Sequence, residues 1–293
     1  MIVITTPTGQ IGASLVRELL ERGESLRVVA RRPEALDERV RERVEVVAGS
    51  HADPAVLDAA LAGADALFWL VPPGRSAAGA RAYYLDFTEP AVDAIRRNGV
   101  GHVVGVTSAG HGWAGDAGVL SAAFAMDERL AASGAAYRAL SLPFYLENLL
   151  GQLDAIRDQG FFSLAAPGDR PFATIATDDI AARAAGLLAA RDWSGRQDVP
   201  LFGPDRLTLE ELATVMSEEL HRPVAYRPMT IDQLASAMRA GGAGEQAVRD
   251  TTEMFAAQVD GIYDADWARA ETGRIDARTW CRTVLAPRAG GLS

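Results

Sequence analysis

The sequence predicts an α/β protein, a doubly wound parallel sheet carrying a small C-terminal α/β lobe. Three observations point there. Over the first 150 residues short β-branched runs alternate with longer stretches of helical periodicity, the pattern of βαβ units. A chain of 293 residues, 48% of them hydrophobic, can bury one large core and a smaller lobe beside it. The first strand runs straight into Thr-Pro-Thr-Gly-Gln-Ile-Gly, a glycine-bearing turn at the first strand-to-helix junction.

The elements follow in order. Met1 to Thr5 is the first strand, and Ile11, Leu15, Val16, Leu19 and Leu20 share one helical face before Gly23 closes the helix. "SLRVVA" and "VEVVAG" are the next strands, and Asp53 as N-cap with Pro54 at the first helical position starts a helix that ends near Gly63. "ADALFWLV" is the fourth strand, broken by Pro72-Pro73; "TEPAVDAIRRNG" is a helix and "HVVGVTSAG" the fifth strand. A Gly-rich loop to about Gly118, a helix over "AAFAMDERLAASG" and the strand "AYRALSL" follow. Beyond that the alternation weakens. "LPFYLENLLGQLDAIRDQG" is partly helical and "FFSLAAPGDRPFATIA" is short strand or loop. "TDDIAARAAGLLAA" is a helix capped by Thr177 or Asp178, and two further amphipathic helices each begin after a threonine. "AGGAGEQ" is a loop rather than a domain boundary. The expected division is a domain over 1–150, completed by about 172–200, and a substrate-covering lobe over 201–293 with 151–171.

Composition excludes several functions. A formal charge of −10 and the absence of any basic run argue against nucleic acid as a partner. Cys281 stands alone, so no intrachain disulfide can form, and His51, His102, His111 and His221 lack metal-ligand spacing. No charged leader precedes the first strand and no apolar run approaches the length of a membrane span, which makes the cytoplasm the expected compartment. All 29 basic residues are arginine. Chemistry that needs a lysine ammonium is therefore closed to this chain.

Four places can carry chemistry. The turn through Thr6, Thr8, Gly9, Gln10, Ile11 and Gly12 offers backbone N–H groups and the positive end of a helix dipole to a pyrophosphate, or is simply a tight turn. Arg31 and Arg32 end the second strand where a fold selective for NAD carries an acidic residue. Guanidinium forks suit a 2′-phosphate, unless the pair is merely solvated. Thr107 and Ser108 end the fifth strand at the ligand-binding edge, as ligand contacts or as strand-end caps, and His111 beyond them is a candidate proton donor or an exposed loop histidine. Phe144 and Tyr145 could cover a flat ring or belong to the core, and Asn148 could anchor the turn or a ligand.

These segments together resemble the NmrA-like group of atypical short-chain dehydrogenases, which includes quinone oxidoreductase-like and isoflavone reductase-like proteins. "ITTPTGQIGASLVRELLERG", "VVARRP", "VTSAG", "SLPFYLENLL", "ATDDIA" and "LFGPDRLTLEELATVMSEELHRPVAY" match its motifs in order along nearly the whole chain. The resemblance implies a Rossmann-type NAD(P)-binding domain and a smaller lobe. It implies that Thr8, Gly9, Gln10 and Ile11 line the pyrophosphate while Gly12 packs the helix, and that Arg31 holds the 2′-phosphate. Pro72 would flank the ribose, and Ser108, Phe144 and Tyr145 the nicotinamide.

Thr6 stands where the fingerprint has its first glycine; with a negative φ it can still turn, and Pro7 stiffens the chain beyond it. Ser50 replaces the family's aspartate near adenine, and Ser141-Leu142 its Arg-Pro. A cofactor loop of reduced affinity is expected. The expected activity is that of an NADPH-dependent oxidoreductase, preferring NADPH to NADH and passing hydride to a small quinone-like, aromatic or conjugated carbonyl substrate without a Tyr-Lys pair. His111, Ser108 and Tyr145 are the expected catalytic residues. A non-catalytic NADP-binding redox sensor acting through a protein partner is the alternative, and a non-redox isomerase or cyclase a further one. The partners expected are a small molecule and a second copy of the chain as a homodimer, with neither nucleic acid nor membrane.

Overall fold

A computed structural model describes residues 1–72, 74 and 76–290; Pro73 of the expected strand break lies outside the described residues. Six strands, β1 (Ile2–Thr5), β2 (Leu26–Ala30), β3 (Glu45–Ala48), β4 (Ala66–Trp69), β5 (His102–Ser108) and β6 (Ala136–Leu142), appear where alternation of apolar runs places them. They order as β3-β2-β1-β4-β5-β6, and the sheet continues through β10 (Arg196–Phe202) to β12 (Glu271–Thr272), giving eight strands. The pairs β2–β3, β1–β2, β1–β4, β4–β5 and β10–β12 are parallel. The strand order reverses between β1 and β4, and in open α/β sheets ligands bind at the carboxyl ends of the strands beside such a reversal.

Helices α1 (Gln10–Glu21), α2 (Glu38–Arg41), α3 (Pro54–Leu61), α4 (Ala80–Asn98), α5 (Val119–Ala131) and α6 (Thr177–Ala190) alternate with the strands. Gly23 (φ +78°) follows α1 in the left-handed conformation expected of a C′ glycine, and Asp53 caps α3 by accepting from Ala55 N–H at 2.9 Å. α4 corrects an expectation: it starts eight residues before Thr88, and Pro90, which looks like a first-turn proline, lies inside it. The carbonyl deprived of a donor by Pro90 is that of Asp86, an exposed residue, so water can satisfy it.

The chain forms two compact units. The first comprises Met1–Ser108, Val119–Ser141 and Ile180–Val199; the second Ala109–Gly118, Leu142–Asp179 and Pro200–Ser293. In the first, Val3, Leu67, Trp69, Val103, Ala139 and the inner faces of α3 and α4 make one apolar core. The second holds the two-residue strands β7 (Phe144–Tyr145), β8 (Phe161–Phe162), β9 (Thr174–Ile175) and β11 (Ala225–Tyr226), with β7–β9 and β8–β11 paired in parallel. Its longer helices are α7 (Leu209–Leu220), α8 (Ile231–Ala240) and α9 (Glu245–Val259). Thr208 and Thr230 cap α7 and α8 through full capping boxes with Glu211 and Gln233, as their placement before the helices predicts. Leu149, Ile156, Phe162, Met216 and Trp280 centre the second core.

Candidate cofactor and substrate sites

At the reversal point Thr5 ties β1 to β4: its hydroxyl donates to Phe68 C=O at 3.0 Å and accepts from Leu70 N–H at 3.1 Å. The next residue departs from expectation. Thr6 has φ +53°, not a negative value, and so adopts the left-handed conformation that the missing glycine would have taken without strain. Its carbonyl explains the constraint, since it must turn inward to accept Gly9 N–H at 3.1 Å. A Cβ on Gly12 would overlap that same carbonyl oxygen, so Gly12 is the close helix–strand contact. Gly9 is the N-cap of α1, and no side chain caps the helix. The N–H groups of Gln10, Ile11 and Gly12, the first turn, therefore have no partner within the helix. Thr8, Gly9 and Gln10 are exposed beside them while Ile11 and Gly12 are buried. A turn of this kind, with donors bare and no Cβ at Gly9 or Gly12, fits a pyrophosphate.

Arg31 and Arg32 follow β2 immediately and are exposed. The Arg31 charge is felt by two neighbours, His51 and Tyr83. His51 is buried, with its ring edge-on to Trp69 at 5.3 Å and tilted on Phe87 at 4.8 Å. Burial and Arg31 outweigh a hydrogen bond to the Leu70 carbonyl and lower its pKa to about 4, so the imidazole is neutral at physiological pH. Ser50 turns the chain there, its hydroxyl accepting from Ala52 N–H at 3.2 Å. Pro72, half-buried, follows β4.

At the end of β5, Ser108 is buried. The Thr107 hydroxyl donates to the wholly buried Asp127 of α5 at 2.5 Å. Tyr137 OH donates to the other Asp127 oxygen, and the Tyr137 ring occupies the space that a Cβ on Gly105 would fill. Sequence pattern does not mark Asp127, because beside Glu128 and Arg129 in an amphipathic helix it looks like one of a run of surface residues.

Four predicted residues lie in the second unit. His111 is half-buried in the loop Ala109–Gly118. Phe144 and Tyr145 are half-buried in β7, with Phe144 against Phe172 at 5.4 Å. Asn148 is exposed. Its neighbour Glu147 is the buried one, accepting from Thr177 N–H and Trp280 Nε1–H, each at 3.0 Å. Burial pushes the Glu147 carboxyl up against the pull of those hydrogen bonds. The loop is anchored at both ends. Gly110 N–H donates to buried Asp266 at 2.6 Å, and Gly110 and Gly118, both at positive φ, press on Ile262 and on the Asp250 carbonyl. Among the described residues no group of three or more potential ligands is placed to hold a metal ion, and no helix is long and apolar enough to cross a membrane.

Sheet order, glycine turn and bare helix terminus define a dinucleotide-binding α/β protein. A model of the NAD(P)H-binding family matches residues 7–190, and the chain belongs to that family, in agreement with the NmrA-like resemblance of its motifs. It is 30% identical over 258 residues to an NAD(P)H azoreductase of Xenophilus azovorans, covering 87% of this chain and 86% of that one. It is 27% identical to quinone oxidoreductase 2 of Escherichia coli (strain K12), covering 83% and 82%. A crystal structure of a nucleoside-diphosphate-sugar epimerase from Staphylococcus aureus shares the fold with a TM-score of 0.79, at 18% identity over 96% of this chain and 99% of that one.

Proposed function

We propose that this chain is an NADPH-dependent reductase of small quinone-like, aromatic or conjugated carbonyl acceptors. The observation that carries it is the uncapped start of α1 behind the Thr6–Gly9 turn, with Arg31 and Arg32 exposed at the next strand end. Relatives named as an azoreductase and a quinone oxidoreductase support the redox reading. When bound, NADPH supplies a hydride. The chain's own part is to hold and orient: the first-turn N–H groups of α1 take the pyrophosphate, Arg31 and Arg32 the 2′-phosphate, and Pro72 the ribose. Ser108, Phe144 and Tyr145 line the nicotinamide end. Because the sequence has no lysine, a tyrosine–lysine pair cannot protonate the product; His111 or water does so when the acceptor needs a proton.

Titration calorimetry with NADPH and NADH tests the cofactor assignment. NADPH binds more tightly, and Arg31→Ala weakens NADPH roughly tenfold to a hundredfold, the worth of a charge-assisted hydrogen bond, while leaving NADH nearly unchanged. NADPH oxidation over a panel of quinones and enones tests turnover. Binding without turnover on any acceptor would replace the reductase by a sensor.

A further inference from the structure

Asp127 holds the strand end that carries Ser108. β4 ends at Trp69, opposite Gly105, so Val106, Thr107 and Ser108 run on past the end of β4. A carboxyl group anchors them there. Asp127, wholly buried on α5, accepts from Thr107 of β5 at 2.5 Å and from Tyr137 of β6, so one side chain ties a helix to two strands. The strands are fitted to it. Gly105 lies two residues before Thr107 on the same face, and its missing side chain leaves the room that the Tyr137 phenol occupies on its way to Asp127. Burial and the Asp127 charge push that phenol well above its usual range, so it stays a donor at any assay pH.

Stability alone does not call for such a group. Replacing buried hydrogen-bonding partners together by apolar side chains of the same shape can be nearly neutral or stabilising, whereas a carboxyl group fixes the direction of its donors. Direction is what the next residue needs. Alternation along β5 turns Ser108 to the face opposite Thr107, so the setting of one side chain sets the other. We propose that Asp127 is a positioning residue: through Thr107 it sets where the Ser108 hydroxyl stands against the nicotinamide. That role rests on the cofactor assignment above, with Ser108 at the nicotinamide end, and needs no particular acceptor.

A double-mutant cycle of Thr107→Val and Ser108→Ala tests this role, with melting curves to verify each fold. The readouts are the emission of bound NADPH, which comes from its nicotinamide ring, and kcat on whichever quinone or enone the unaltered chain reduces. Thr107→Val should shift the emission of bound NADPH toward that of the free cofactor and lower kcat about tenfold, within the range that a small misplacement costs. Affinity for NADPH in calorimetry should stay within about twofold, because the pyrophosphate and 2′-phosphate are assigned to the ends of β1 and β2. Thr107→Ser keeps the hydroxyl and should keep both readouts near those of the unaltered chain. In the Ser108→Ala background Thr107→Val should change neither, since nothing is left for it to position. Should Thr107→Val fail to fold, Asp127→Asn, which keeps one acceptor oxygen, takes its place in the cycle. Full additivity of the two substitutions, an unchanged emission and kcat, or a loss carried by NADPH affinity would overturn the proposal. A chain that binds NADPH but reduces no acceptor would lose the reductase reading alone, and the emission cycle would still decide the role of Asp127. Absence of NADPH binding would remove the cofactor assignment and this role with it.

Discussion

The two units reach their structures by different means. In the first, strands of four to seven residues form the ladder and the core fills from regular apolar spacing, with Asp127 buried and accepting from the hydroxyls of Thr107 and Tyr137. In the second, strands of two residues contribute little, and side chains grip distant backbone instead. Glu147 holds Thr177 and Trp280, Asp179 accepts from the N–H groups of Arg274 and Ile275 at 3.0 Å each, Asp205 accepts from Ala277 N–H at 2.6 Å, and Tyr226 OH reaches the carbonyls of Leu164 and Ala166. A ladder repeats its bond at every residue and tolerates the loss of one. A grip made once, by a buried carboxylate, has no spare.

Substitutions can break that contrast. Trp280→Ala should have the largest effect, about 4 kcal/mol in urea denaturation, because it empties a fully buried site and strips Glu147 of a donor. A loss below about 1 kcal/mol would mean that the second core does not depend on its single grips. Asp127→Ala asks the same of the first unit. Leaving the hydroxyls of Thr107 and Tyr137 unpaired in the core should cost roughly 3 kcal/mol, a sign that a single grip matters even beside a ladder.

The pH dependence of stability sharpens the picture within the first unit. His51 has its folded pKa lowered to about 4 from 6.5. Between those values the unfolded chain binds the proton and the folded chain does not, so stability falls as pH drops from about 6.5 to 4, by up to roughly 3 kcal/mol. His51→Phe should flatten that part of the stability profile while the contribution of the carboxylates persists. The smallest effect is a gain. Thr6→Gly removes a left-handed threonine and should raise stability by about 1 kcal/mol, seen as a higher melting temperature. A loss would show that the threonine makes a compensating contact.

Much of the fold is legible in the sequence. β6 falls on "AYRALSL" residue for residue, and the N-cap of α3 and the starts of α7 and α8 after Thr208 and Thr230 follow from single polar residues ahead of apolar periodicity. These features are local, written within a turn or a strand. The early half of α4 is hidden by Pro90, a helix-start signal that tertiary packing overrides. Thr6 defies its sequence expectation for a related reason: its φ is set by the need of its carbonyl to meet Gly9 N–H and clear Gly12, not by its own preference. The commitment of Thr107 to Asp127 lies across twenty residues and two elements.

By itself, then, the sequence determined the alternation of strands and helices, the glycine turn, the arginine pair after β2 and the absence of lysine chemistry, since each is a property of neighbours along the chain. Only the tertiary structure decided that Thr107 bonds Asp127 and that Glu147 and Asp266 pin remote segments. Those groups are separated by up to about 150 positions in the chain, and no periodicity links them. Burial and hydrogen-bond satisfaction bring them together, and both are settled only when the whole chain has folded.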